Sequence, residues 1–133
     1  KIFITRKDAM NRNIKNQNEL LMALKGWETV TLENLSIKDQ VKTFAEATHI
    51  VSPHGAGLTN LLWCRPKTKV YELTHKAFIG KIVYPSLSHH LELKHHVILC
   101  DTEKISGQKP RNKKQKDMVN LKINVKDFIS YID

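Results

Sequence analysis

Short apolar runs of strand length alternate along this chain with segments of helical periodicity, and this alternation limits the folds that the chain can adopt. The runs are rich in β-branched residues and several are continuous, which is typical of strands in a parallel sheet covered on both faces. From these runs we predict six strands, at residues 2–4, 30–32, 49–51, 70–73, 97–99 and 121–123.

The segments between these runs predict five helices. Two of them begin with capping pairs, Asn16 with Glu19 and Ser36 with Asp39, in which the two side chains support the first turn. Gly26 follows the first helix and supplies a stop. The predicted helices cover residues 16–25, 36–48, 55 or 56 to the residue before Pro66, 82–91 and 125–132.

Strands and helices that alternate at this spacing form βαβ units with right-handed crossovers. The sequence therefore predicts an α/β fold, a Rossmann-like open parallel sheet with helices on both faces. All 133 residues fit a single domain, because domains of this size are the commonest. In such sheets ligands bind beyond the carboxyl ends of the strands.

The charge of the chain is strongly positive. It has 22 Lys and Arg residues against 13 Asp and Glu, a formal net charge of +9, which indicates an anionic partner without identifying it. Five of the positive charges lie in residues 107–117, where no apolar residue is available for burial. We predict a flexible basic loop at about residues 103–117.

Two pairs of adjacent histidines raise the question of a metal site. No carboxylate or cysteine stands near them at ligand spacing, so we predict no metal site and interpret these side chains as solvated or partly packed surface. The pairs are His89 with His90 and His95 with His96. Cys64 and Cys100 lie in apolar surroundings that are typical of buried free thiols.

The turn after the third predicted strand reads Ser-Pro-His-Gly-Ala-Gly-Leu-Thr-Asn and is the strongest indication of a binding site. Gly55 and Gly57 allow close backbone approach and positive φ, and the helix that follows directs free N–H groups outward. This geometry suits a phosphate group. His54, Thr59 and Asn60 add side-chain donors at the same place.

Two other interpretations of this turn stay open. The glycines could make only a tight turn, with Ser52 and Asn60 capping the helix. The turn could also be a dinucleotide fingerprint, G-x-G-x-x-G, although Asn60 stands in place of the third glycine and the motif follows the third strand rather than the first.

Residues near other strand ends could belong to the same site. Arg6 follows the first strand, and Arg12 and Asn16 lie in the connection to the first helix. Guanidinium groups suit bidentate contact with a diphosphate, while the alternative for either arginine is a solvated loop. Glu72 lies in an apolar strand, where carboxylates are rare unless paired, so it either accepts from a ligand hydroxyl or pairs with a lysine.

A set of short segments occurs in the same order as in a known family. The most specific is His-Gly-Ala-Gly-Leu-Thr-Asn at residues 54–60, and the others lie at residues 5–6, 12–20, 35–47 and 70–73. On these residues the chain resembles the family 61 glycosyltransferases over residues 1 to about 100. That family includes eukaryotic O-linked N-acetylglucosaminyltransferases, plant xylosyltransferases and bacterial capsular-polysaccharide proteins.

This resemblance implies a GT-B-type enzyme that inverts the anomeric carbon without a metal or cofactor, with this chain as the C-terminal, donor-binding domain. It implies a nucleotide sugar as donor, expected to be UDP-linked, and a hydroxyl of a glycan or protein as acceptor. By analogy, the residues around the donor diphosphate are Arg6, His54, Gly55, Ala56, Gly57 and Asn60, with Arg12 and Asn16 near or supporting it and Glu72 near the nucleoside.

Inverting transfer also needs a base that deprotonates the acceptor hydroxyl. His54 is better suited to donate to phosphate, so we expect the base in an N-terminal domain of the same protein. The chain begins at Lys1 and enters an apolar run directly, which we interpret as a piece of a longer protein. We therefore expect residues 1–133 to bind donor weakly and to transfer nothing.

The basic segment 107–117 supports a rival hypothesis, a module that binds nucleic acid or an anionic membrane surface without catalysis. A catalytically silent partner-binding module is a third hypothesis. The sequence lacks the stacking aromatics of an RNA-binding sheet and any apolar run near the roughly 18 residues of a membrane span, so we predict neither a nucleic-acid partner nor a transmembrane segment. The resemblance implies the cytoplasm, at or near the inner membrane, for a bacterial chain and the Golgi or endoplasmic reticulum lumen for a eukaryotic one.

Overall fold

A computed structural model describes residues 1–6, 9–105 and 118–132 of the chain. Its centre is a five-stranded parallel sheet in which the strands lie in the order β2-β1-β3-β4-β5. The strands are β1 (Ile2–Ile4), β2 (Glu28–Val30), β3 (His49–Pro53), β4 (Lys69–Thr74) and β5 (Lys94–Leu99). The predicted α/β fold with an open parallel sheet is confirmed, and its strand order is compatible with a Rossmann-like fold.

Helices cover both faces of the sheet, as predicted. Within the described residues the α-helices are α1 (Gln17–Ala23), α2 (Ile37–Glu46), α3 (Val83–His90) and α4 (Val125–Tyr131). Three short segments are 3-10 helices, namely Leu32–Asn34, Ala56–Trp63 and Lys76–Phe78. An antiparallel pair, β6 (Asp101–Lys104) and β7 (Val119–Lys122), lies apart from the main sheet.

The apolar side chains of the sheet divide between two cores, because alternate residues of a strand point to opposite faces. On one face Phe3, Val51 and Tyr71 pack with side chains of α1, β7 and α4. On the other face Ile50 and Val70 pack with side chains of α2 and the 3-10 helix Ala56–Trp63. The buried face of α2 matches its predicted periodicity, and Ser36 caps it by accepting from the backbone N–H of Asp39 at 3.1 Å.

The third predicted helix is wrong in type, because residues Ala56–Trp63 form a 3-10 helix rather than an α-helix. The second predicted strand is displaced: β2 ends at Val30, and Leu32 already begins a 3-10 turn. The last predicted strand is β7, which belongs to the antiparallel pair instead of the parallel sheet. Its partner β6 was not predicted, and it occupies the first residues of the expected basic loop.

The remaining expectations about the chain have mixed outcomes. The basic segment at residues 107–117 lies outside the described residues. Cys64 and Cys100 are free, and Cys100 is buried. Gly26 has φ +84°, which suits its predicted place after α1. In the part of the chain that the structure describes, no helix has the length and apolar character needed to cross a membrane.

The strand order creates a crevice at one edge of the sheet. The chain leaves β1 toward β2 on one side and leaves β3 toward β4 on the other side, so β1 and β3 are the neighbours at which the order reverses. At such a switch point the two following loops diverge and leave room for a ligand. Arg6 follows β1 and His54 follows β3, so the fold brings both predicted site residues to the same crevice.

Candidate functional site

The two loops at the crevice meet where Arg6 lies against Gly55. A Cβ atom built on Gly55 would lie 1.9 Å from Nη1 of Arg6, so the guanidinium occupies the space that any other residue would need at this position. A Cβ on Gly57 would lie 2.7 Å from Cδ1 of Leu32. Close approach is therefore confirmed as the reason for both glycines.

The expected positive φ at the two glycines is wrong. Gly55 has φ 164°, which is extended backbone that any residue adopts, and Gly26 is the glycine with positive φ among the described residues. The requirement at Gly55 is for space, and the atom that fills this space is a cationic nitrogen. The turn and the arginine are thus one structural unit.

Arg12 brings a second guanidinium to this edge. Its Cζ lies 5.3 Å from the ring centroid of Phe78, within the range of a cation–π contact. Its backbone has φ +58°, an unusual value for a residue with a side chain, and its N–H donates to the carbonyl oxygen of Val119 at 2.8 Å. The β6–β7 pair thus holds the loop that carries Arg12.

The electrostatics of the crevice favour an anion. Burial lowers the pKa of Arg6, and the nearby charges of Glu33 and Tyr84 raise it in part. Burial also lowers the pKa of Arg12, and the positive charge of Arg6 lowers it further. The two cations are thus close enough to repel each other while partly removed from water, a cost that an anion between them would offset.

Each of these arginines also has a nitrogen without a partner. Nε of Arg6 and Nε of Arg12 are buried, and neither donates to an acceptor among the described residues. Buried donors are nearly always paired, so an unpaired donor on each of two neighbouring arginines is unusual. A small cavity of about 40 Å³ opens beside Arg6 and is lined in part by Glu33, Ser52 and Gly57.

His54 connects the crevice to a buried network of polar side chains. Its Nδ1 contacts Oε1 of Glu72, and the other carboxylate oxygen of Glu72 contacts Nε2 of His95 at 2.8 Å. Nδ1 of His95 in turn lies 2.7 Å from Oγ of Ser88. We call these four residues the histidine–carboxylate network.

Glu72 is buried, with 2% of its side chain exposed. Burial raises its pKa, but the hydrogen bonds and the charges of His54 and His95 lower it more, so the net pKa lies below the ordinary value for a glutamate. The expected pairing with a lysine is wrong, because the partners are two histidines. The side chain is almost inaccessible, so a ligand hydroxyl could reach it only if the surrounding side chains moved.

Aromatic rings enclose the imidazole of His54. The ring centroid of Phe78 lies 4.9 Å away and that of Tyr84 lies 5.2 Å away. The backbone N–H of His54 donates to the carbonyl oxygen of Leu73 at 2.8 Å. Backbone, Nδ1 and ring faces are thus all held by the protein, and Nε2 is the ring atom that points away from Glu72.

The side chain of Asn16 joins the start of α1 to the residue that follows β7. Its side-chain N–H donates to the carbonyl oxygen of Ile123 at 2.8 Å, and its Oδ1 accepts from the N–H of the same residue at 3.1 Å. The predicted cap at α1 is wrong, since the Asn16 side chain makes no capping hydrogen bond. It contacts the carboxylate of Glu19 instead, at 2.8 Å.

The remaining predicted residues lie on the 3-10 helix beside the crevice. Asn60 donates to Oε1 of Gln40 at 3.1 Å and to the carbonyl oxygen of Gly57 at 3.2 Å, so it ties this helix to α2. Thr59 and Ala56 are exposed. The first hydrogen bond of this helix runs from the N–H of Leu58 to the carbonyl oxygen of Gly55. The N–H groups of Ala56 and Gly57 precede it in the chain and take no part in it.

Several residues of the site were not predicted. His95 and Ser88 belong to the buried network, so the interpretation of His95 as a surface histidine is wrong, with 6% of its side chain exposed. Phe78 and Tyr84 lie against His54, and no sequence motif around either residue indicates this contact. The sequence does contain one indication for His95. It precedes the fifth predicted strand, which follows the strand that carries Glu72 between apolar residues, and a buried glutamate needs a partner.

The described residues contain no group of three His, Cys, Asp or Glu side chains that could hold a metal ion. His54 and His95 contact different oxygens of one carboxylate, so their nitrogens do not converge on a common point. The cationic side chains that the structure places at this edge are those of Arg6 and Arg12.

The strand order and the two arginines together define a doubly wound α/β domain with a cationic crevice at its switch point. A sequence model described as Glycosyltransferase 61 matches residues 1–71, which is more than half of the chain and includes both loops of the crevice. The chain belongs to the glycosyltransferase 61 family, as the resemblance indicated.

Two plant proteins are similar in sequence. The "Beta-1,2-xylosyltransferase RCN11" of Oryza sativa subsp. japonica is 25% identical over 116 residues, which cover 73% of this chain and 22% of that protein. The "Beta-1,2-xylosyltransferase" of Arabidopsis thaliana is 38% identical over 47 residues, or 35% of this chain and 9% of that protein. The matched parts of this chain thus span less than a quarter of either relative.

Proposed function

We propose that this chain is the donor-binding domain of a glycosyltransferase and that its crevice holds the diphosphate of a nucleotide sugar. The observation that carries this proposal is the pair of half-buried arginines, Arg6 and Arg12, each with a buried Nε that lacks a partner among the described residues. Family membership supports glycosyl transfer as the reaction. A GT-B architecture, with this domain as its C-terminal half, is part of the proposal.

The proposed reaction is an inverting transfer without a metal. The acceptor oxygen bonds to the anomeric carbon, the bond from this carbon to the β-phosphate oxygen breaks, and the electron pair stays on the departing diphosphate. The two arginines would donate to this growing charge, together with the N–H groups of Ala56 and Gly57. His54, with Nδ1–H on Glu72, would donate through Nε2–H as an imidazolium. Loss of one such donor typically costs about 10²–10³ in rate.

The other predicted residues take supporting parts in this proposal. Asn16 and Asn60 hold the loop and the 3-10 helix in place through the hydrogen bonds described above. Thr59 is exposed in the middle of this helix and would donate to the donor substrate. Glu72 would act on the donor only through His54, because its side chain is buried and bonded to the two histidines.

The acceptor and the base would come from another part of the protein. A base must reach the acceptor hydroxyl, whose proton it takes. Glu72 is buried and bonded to two histidines, and Glu33 acts on Arg6, so neither carboxylate of this edge suits the task. We propose a base in a domain outside residues 1–133 and a glycan or protein hydroxyl as the acceptor.

The sugar is proposed from the relatives alone. Both are described as β-1,2-xylosyltransferases, so a xylosyl donor is the first to test. A role in surface or capsular polysaccharide synthesis, which the family resemblance also allows, has no support from these two relatives.

The proposal is tested by thermal unfolding of the wild-type chain with UDP, GDP, CDP and ADP at millimolar concentration. At least one diphosphate should raise the melting temperature, because a ligand that binds only the folded state stabilises it. Uridine and UMP serve as controls, since they lack the β-phosphate, and both should raise it less than UDP. If no nucleoside diphosphate shifts the transition, the proposed function is wrong.

Gly55→Ala should weaken nucleoside diphosphate binding at least tenfold while the protein stays folded. The new Cβ would lie 1.9 Å from Nη1 of Arg6, so the guanidinium must leave its place. This nitrogen ends a flexible side chain, so we expect a change in unfolding free energy within about 1 kcal/mol. Titration calorimetry and urea unfolding measure the two quantities.

The matched control is Gly80→Ala, because a Cβ at Gly80 would meet nothing within 4 Å. Gly80→Ala should leave the affinity unchanged. Equal affinity of the Gly55→Ala and wild-type proteins would mean that the position of Arg6 does not matter for binding.

A further inference from the structure

The histidine–carboxylate network brings two imidazoles, a carboxylate and a hydroxyl together in one buried place. Ser88 is fully buried, and the side chains of Glu72 and His95 are exposed by 2% and 6%. Apolar residues of similar volume are often as stabilising as such a group, so stability alone gives little reason for its presence. The network ends at His54, next to the glycine turn and the arginines of the proposed donor site.

Hydrogen-bond chemistry determines where the protons of the network lie. The pKa of Glu72 is low, so its two oxygens are acceptors only. Nδ1 of His54 and Nε2 of His95 must therefore both carry a proton toward this carboxylate. Nδ1 of His95, the nitrogen on the other side of the ring, lies 2.7 Å from the hydroxyl oxygen of Ser88, so both nitrogens of this imidazole are held by hydrogen bonds.

The sheet explains why the three side chains meet. Glu72 lies on β4 opposite Val97 of β5, and His95 stands two residues before Val97. Residues two apart on a strand share a face, so His95 and Glu72 are diagonal neighbours on the face that α3 covers. Ser88 reaches them from α3.

We propose that Ser88, His95 and Glu72 are positioning residues that hold His54 with one proton on Nδ1, directed to Glu72, and with Nε2 directed to the donor phosphate, where it takes up a second proton from solvent and donates as an imidazolium. This inference rests on the proposed function for the identity of the phosphate. His95 prevents rotation of the carboxylate by binding its second oxygen, and Ser88 prevents rotation of the His95 ring. Glu72, held in this way, selects both the tautomer and the orientation of His54.

The first test measures the His54 tautomer by ¹⁵N NMR of histidine-labelled protein without ligand. Wild type should carry the proton on Nδ1. His95→Phe should give a mixture of tautomers at His54, because it leaves one oxygen of Glu72 without a donor. His95→Gln should keep the Nδ1 proton, since the glutamine amide can place an N–H where Nε2–H of His95 lay.

His96→Phe is the matched control on the same strand, where an exposed imidazole stacks on Tyr71 with centroids 5.1 Å apart. It should not alter the spectrum of His54. A wild-type His54 with its proton on Nε2, or a His54 tautomer that is the same in His95→Phe and wild type, overturns the proposal.

The second test measures the affinity for the nucleoside diphosphate that stabilises wild type most. We expect His95→Phe to bind about tenfold more weakly, an effect of one hydrogen bond, and His95→Gln to bind within about threefold of wild type. Equal losses in the two variants, with both folded by circular dichroism, overturn the positioning role. A wild type that binds no diphosphate overturns the proposed function instead, and the tautomer measurement still decides whether the network orients His54.

Discussion

Replacement of Arg6 by alanine is expected to weaken nucleoside diphosphate binding by about 10²-fold. A charge-assisted hydrogen bond contributes about 1.5–3 kcal/mol, and the guanidinium of Arg6 is partly desolvated, which strengthens its attraction for an anion. Nε of Arg6 makes no hydrogen bond to the described residues. An anion that binds to it therefore replaces no existing hydrogen bond within that part of the protein, and little of the binding free energy is offset. Titration calorimetry at fixed ionic strength measures the change.

Two further variants make the Arg6 result specific. Arg6→Lys keeps the charge and loses the planar pair of donors, so its affinity should lie between those of Arg6→Ala and wild type. Arg65→Ala removes an exposed arginine that precedes β4, at the opposite edge of the sheet, and should have no effect beyond general charge. If Arg6→Ala and Arg65→Ala lose the same affinity, the crevice is not the binding site.

The largest effect on stability is expected from Glu72→Met. Methionine has nearly the shape of glutamate but cannot accept a hydrogen bond, so the facing nitrogens of His54 and His95 would lose their common partner inside the protein. We expect the free energy of unfolding to fall by about 3 kcal/mol at neutral pH. Urea unfolding measures it, with Glu46→Met on the exposed side of α2 as the matched control.

The pH dependence of this difference follows from the sign of the Glu72 shift. Burial raises the pKa of Glu72, but hydrogen bonds from the two histidines bring it below the ordinary value of 4.5. A carboxylate with a lowered pKa stabilises the folded state above its unfolded pKa, and this contribution disappears as the pH falls through the folded pKa. The stability difference between wild type and Glu72→Met should therefore shrink below about pH 4.5. A difference that stays constant down to pH 3 would show that Glu72 is not ionised in the folded protein.

Most of the sheet could be predicted because local signals and tertiary packing agree there. The runs that became β1, β3 and β4 are continuous and apolar, and each is buried on both faces. The helix α2 carries a cap at Ser36 and a periodic apolar face, so its ends were nearly right. Where the signal was shorter, at β2 and β7, tertiary pairing determined the strand bounds.

The errors at the site arise from distances that a sequence does not contain. Two glycines in a turn are compatible with positive φ or with a close neighbour, and only the structure shows that Arg6 fills the space beside Gly55. Glu72 and His95 are 23 residues apart, so no local pattern joins them. The spacing of Asn16 and Glu19 predicts a helix cap, whereas the side-chain amide of Asn16 bonds to the backbone of Ile123.

The sequence by itself determined the class of fold, the family and the place of the crevice, because hydrophobic periodicity and short motifs are local properties of the chain. It placed Arg6 and His54 after two strands whose carboxyl ends share an edge. Only the tertiary structure decided which groups touch there: the arginine against the glycine turn, and the histidine held through Glu72 by His95 and Ser88. These contacts depend on the strand order and on the position of α3 against the sheet, and both arise from packing over the whole sheet.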